Sequence, residues 1–104
     1  SLFNNICDLW TINDFIIHLS ARPNWQSNNT VNLAASEPIQ LFKVIDLMRE
    51  RLKSSSSVTV RETDKTSFTI DTNIIENQYA YLPATTTEMT NRFIDDFVFD
   101  FNHR

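Results

Sequence analysis

The sequence predicts a small α+β domain with three helices, a three-stranded antiparallel sheet and a C-terminal helix. Three observations carry that expectation. Apolar residues recur at helical spacing near both ends of the chain and again between Leu41 and Leu52. Apolar and polar residues alternate between Val58 and Asp71, the period of a strand pair. The chain contains no glycine in 104 residues, so its turns must be built on Asn, Asp, Ser and Pro.

Leu2, Phe3, Ile6, Leu9 and Trp10 have helical spacing and predict a first short helix. Thr11, with Asp14 three residues on, reads as the cap of a second, in which Ile12, Phe15, Ile16 and Leu19 share a face. The polar stretch Ser20 to Ser36 reads as a long connection, with Trp25 and Val31 able to pin it. A third helix follows from Ser36 as cap, with Glu37 and Pro38 in its first turn and a stripe of Leu41, Ile45, Met48 and Leu52. The serines Ser54 to Ser57 end it. Residues 58 to 72 then read as a hairpin around the turn Thr63 to Thr66, and Gln78 to Leu82 as a third strand closed by Pro83. Thr85 and Glu88 have capping-box spacing and open the last helix, whose Met89, Phe93, Ile94, Phe97, Val98 and Phe101 share one face.

From residue 37 to 102 the inner order is α-β-β-β-α. In element order alone this resembles double-stranded-RNA-binding domains and, more loosely, C-terminal kinase-associated domains. The glycines and the basic helix start that the RNA-binding versions use are missing.

A chain of this length is one domain, 1–104, with a single modest core. Its first residue is Ser, which predicts a processed chain or a module of a larger protein. Hydrophobic content of 41% and aromatic content of 12% suit a folded domain rather than a disordered one. No apolar run approaches the twenty or so residues that span a bilayer, so no membrane is expected as a partner. Cys7 is alone and permits no internal disulfide, which points to an intracellular setting, cytoplasmic or nuclear.

Without glycine, the fingerprints of P-loops, dinucleotide folds, kinase lids and hydrolase elbows are absent. Cys7 lies among apolar neighbours and His18 beside Ile17 and Leu19, so both read as structural. Asp96, Asp100 and His103 fall on one helix edge at a spacing that suits a divalent cation. A solvated charged edge accounts for them more simply, and no metal, cofactor or catalytic group is expected.

Net charge is −4, which opposes phosphate binding over the whole domain. The cations Lys43, Arg49, Arg51, Lys53 and Arg61 leave room for a second reading: a nucleic-acid module, winged-helix or dsRNA-binding-like, using the third helix and the hairpin. The first reading is a non-catalytic protein-interaction or assembly domain, whose partner is another chain or another domain of the parent protein. Its candidate contacts are Trp10, Trp25, Phe99 and Phe101, with Asp95 and Asp100 at the rim. Phe99 stands out because it points away from the Met89–Phe93–Phe97 face.

Overall fold

The computed structural model describes residues 2–22, 30–59 and 68–103. Its elements are β1 (Leu2–Phe3), α1 (Leu9–Ser20), β2 (Ile39–Gln40), α2 (Leu41–Arg51), α3 (Asn73–Gln78) and α4 (Thr86–Asn102). The architecture is α+β, with four helices and one two-stranded antiparallel sheet among the described residues. Leu2 pairs with Gln40 and Phe3 with Ile39.

Among the described residues the predicted three-stranded sheet is not found, and the departures have local causes. Residues 2 to 8 form no helix, because Asp8 rather than Thr11 caps α1. Its extended backbone and its Oδ1, 2.9 Å from the Thr11 N–H, make a stronger cap than threonine provides. The stretch from Leu2 is thereby freed to pair with β2. Ser36 caps nothing; it joins Thr85 in a parallel bridge, while α2 starts at Leu41.

Of the predicted hairpin, residues 58–59 and 68–72 form no strand, and residues 60–67 lie outside the described residues. Near its end, the Asn4 side chain takes the place of a neighbouring strand. Its Oδ1 accepts from the Ile70 N–H at 2.8 Å, and its Nδ2 donates to the Ile70 carbonyl at 2.8 Å and the Ala35 carbonyl at 3.0 Å. The third predicted strand, Gln78 to Leu82, is not formed: α3 ends at Gln78 and residues 79–82 are irregular. The entry of α3 is set by Asp71 Oδ1 accepting from the Asn73 N–H at 2.8 Å. Ala80 beyond it is left-handed (φ 51°), and Tyr79 and Tyr81 on either side of it are both buried.

One buried cluster holds Phe15, Ile75, Tyr79 and Tyr81, with Leu19, Val31 and Leu33 packed around it. The rings of Phe15 and Tyr81 lie 5.0 Å apart. Ala34, Ala35, Thr86, Met89 and Ile94 are buried as well, Ala35 and Thr86 being next to the Ser36–Thr85 bridge in sequence. The molecule is thin, with extents of 51 × 41 × 17 Å, so its helices lie side by side with little stacked above them. Its radius of gyration of 16.4 Å exceeds the roughly 13 Å usual for a compact chain of this length. Among the described residues nine hydrophobic side chains are buried, while seventeen large ones are exposed. Apolar surface is left over.

Candidate interaction surface

Seven of those seventeen lie on α4 and at the start of α1. Thr85 caps α4 by accepting from the Glu88 N–H at 3.0 Å, the half of the predicted capping box that fixes the helix start. Within the helix Met89, Thr90 and Ile94 are buried. Arg51 at the end of α2 braces the same stretch, donating to the Asn91 carbonyl at 3.2 Å, to its side chain at 3.0 Å and to Asp95 Oδ1 at 2.6 Å. Beyond this brace the helix leaves the body of the protein. Every residue from Asp95 to His103 is exposed.

The exposed half of α4 carries Phe97, Val98, Phe99 and Phe101, which between them point in several directions around the helix. A solvated helix normally keeps one polar face, and one that is apolar on several sides is normally covered. Among the described residues the ring–ring contacts of these side chains run along the helix itself. Phe97 and Phe101 stack with centroids 6.4 Å apart. Phe99 stacks on His103 at 4.0 Å, and the imidazole Nδ1 lies 2.7 Å from the Phe99 carbonyl. His103 is thus turned along the helix toward Phe99. Among the described residues no group of three or more His, Cys, Asp and Glu is placed to hold a metal ion.

The start of α1 is held against α4 by one ion pair. Arg92 Nε lies 3.1 Å from Asp8 Oδ2, and Arg92 Nη2 reaches Thr11 Oγ1 at 3.4 Å. Asp8 therefore both caps α1 and docks it. The consequence for the surface is that Leu9 and Trp10, the first residues of α1, stand at its rim and are exposed.

Two hollows flank this joint. An apolar groove of about 370 Å³ lies between β1, α2 and α4, lined by Phe3, Ile6, Val44, Met48, Met89 and Phe93, with Cys7 at its side. Burial raises the Cys7 thiol above its ordinary pKa and the charge of Asp8 adds to the effect, so the sulfur is a poor nucleophile. On the far side of Phe93 a second hollow of about 460 Å³ is lined by Leu9, Trp10 and Phe93 together with Asp8, Arg92, Asp95 and Asp96.

The structure thus brings Trp10 and Asp95 to one hollow and places Phe99, Asp100 and Phe101 on the projecting helix next to it. Trp25 lies outside the described residues. Leu9, Phe93 and Phe97, which the spacing had placed on inward faces, are exposed and belong to the same surface. Their signal was the number of apolar positions: a thin domain has too little interior for all of them. His18 is structural, its Nε2–H donating to the Tyr79 carbonyl at 2.6 Å.

No family model matches the chain, and no curated protein or solved structure matches it either.

Proposed function

We propose that this chain is a non-catalytic protein-interaction or assembly domain of a larger intracellular protein, cytoplasmic or nuclear. Its partner is another chain or another domain of the same parent. One observation carries the reading: the half of α4 from Asp95 to His103 is exposed throughout and bears three phenylalanines and a valine. Burying each such ring on a partner would contribute roughly 2 kcal/mol, which in isolation is forgone. The anchors are Phe97, Phe99 and Phe101 with Trp10 and Phe93 alongside, and Asp95 and Asp100 form the polar rim. Aromatic anchors ringed by polar groups are the usual composition of interface hot spots.

The lone half-buried Cys7 supports the intracellular setting. Among the described residues no helix is long and apolar enough to cross a membrane. The nucleic-acid alternative loses support at Arg51, a cation of the third predicted helix, which is already engaged by Asp95 and Asn91.

The test is site-specific photo-cross-linking from position 101 in cells that express the parent protein, followed by rebinding of the captured polypeptide in purified form. Binding that Phe97→Ser/Phe101→Ser abolishes, with melting unchanged, is the expected result. A folded chain that yields no specific cross-link from positions 97, 99 or 101 sinks the proposal.

A further inference from the structure

We infer that the trough between α1 and α4 docks a basic amphipathic polypeptide segment, a Lys- or Arg-bearing helix of about two turns. This rests on the interaction reading and adds to it the chemistry of the partner. The 460 Å³ hollow continues into another of about 250 Å³, the two sharing Trp10 and Arg92. From Glu88 to Asp96, the α4 residues that line it, a helix rises about 12 Å, which is the length of two helical turns laid alongside.

Its lining is of two kinds, apolar and acidic. Leu9, Trp10, Leu82 and Phe93 are apolar and exposed. Around them stand five carboxylates, those of Asp8, Asp14, Glu88, Asp95 and Asp96, against the single guanidinium of Arg92. That cation is already committed to Asp8 at 3.1 Å. Asp95 is answered by Arg51, and Asp14 accepts from the Tyr81 hydroxyl at 2.8 Å. Asp96 and Glu88 have no ion pair among the described residues and face water.

Charge selects among the possible occupants. Phosphate, whether of nucleic acid or of an anionic lipid surface, is repelled. A second copy docked isologously would set these carboxylates against themselves. A small cation would satisfy the carboxylates but leave the Trp, Leu and Phe side chains in water. A segment with an apolar face and basic edges satisfies both.

The experiment uses two synthetic helical peptides with the same leucine face, one edged with lysine and the other with glutamate. Binding is followed by the indole N–H resonance of Trp10, assigned with Trp10→Phe. The lysine peptide is expected to shift that resonance, and its affinity to fall about tenfold as salt rises to roughly 0.5 M. Glu88→Gln/Asp96→Lys should weaken it about tenfold, since both side chains lie on the rim. Phe42→Ser, an exposed position on α2 that lines neither hollow, should leave it unchanged. Equal binding of the two peptides, no binding of the lysine peptide, or indifference to the charge variant overturns the assignment. A cellular partner that needs Phe97 and Phe101 but ignores Glu88→Gln/Asp96→Lys would overturn the trough while leaving the interaction domain intact.

Discussion

Two substitutions on one helix separate a covered apolar face from an uncovered one. Ile94 is 0% exposed, whereas Phe97 and Phe101 are 46% and 66% exposed. Truncating Ile94 to Ala removes three buried carbons from a site with no room to collapse, and should cost about 2–5 kcal/mol. For a domain of this size that lowers the melting temperature by about 10 °C or more. Changing Phe97 and Phe101 together to Ser removes more apolar surface, but about half of that on Phe97 and two thirds of that on Phe101 is already in water, and the two rings stack on each other. Ser and Phe have similar helix propensities, so the helix itself loses little. The expected cost of the pair is below about 1 kcal/mol. Urea unfolding followed by circular dichroism gives both numbers. A loss above about 2 kcal/mol for the double variant would mean that the end of α4 is packed by its own chain, and the case for a partner there would collapse.

Lys53, one residue past the α2 cap, is left-handed (φ 51°) and closes a Schellman motif, with its N–H on the Glu50 carbonyl and the Ser54 N–H on the Arg49 carbonyl. Lys53→Gly should therefore stabilise the fold by about 0.5–1 kcal/mol, seen as a higher urea midpoint; an unchanged or lower midpoint refutes it. Asn4→Ala strips the partners from Ile70 and Ala35 and should destabilise by about 3 kcal/mol in the same assay. The Tyr81 hydroxyl is held protonated, first by burial and then by its hydrogen bond to Asp14, so its pKa lies above the ordinary 10.0. The unfolded chain loses that proton near pH 10 while the fold keeps it. Stability should thus fall above pH 10 by up to about 1.4 kcal/mol per pH unit, and Tyr81→Phe should flatten that limb of a melting-temperature profile. At pH 8, iodoacetamide should alkylate Cys7 severalfold more slowly in the folded chain than in urea; equal rates would show an open thiol.

Periodicity read the helices well where the amphipathic stripe was long, and the start was placed correctly only where the cap was right. Thr85, Glu88 and the run from Met89 gave α4, and the stripe from Leu41 to Leu52 gave α2, though the helix starts at Leu41 and not at the predicted Glu37. What it could not supply was the destination of a face. The spacing of Phe93, Phe97 and Phe101 is the same whether the partner is the core or another molecule, and only the thinness of the domain decides between them. The strands were misread for a different reason. Tyr79 and Tyr81 alternate as in a ladder, but both are buried on either side of a left-handed Ala80 without one. The ion pair of Asp8 with Arg92 joins residues far apart in sequence, and nothing local in either segment announces it.

Asn4 makes the fold sensitive to a single atom. Its amide touches two carbonyls through nitrogen and one N–H through oxygen, so the group has a polarity as well as a shape. Hydrolysis to Asp would exchange that nitrogen for a second oxygen, turning two attractions into two repulsions inside a sealed site without altering the volume of the side chain. Slow chemical ageing at this one position would loosen the joint between the amino terminus and residue 70 long before any bond in the backbone broke.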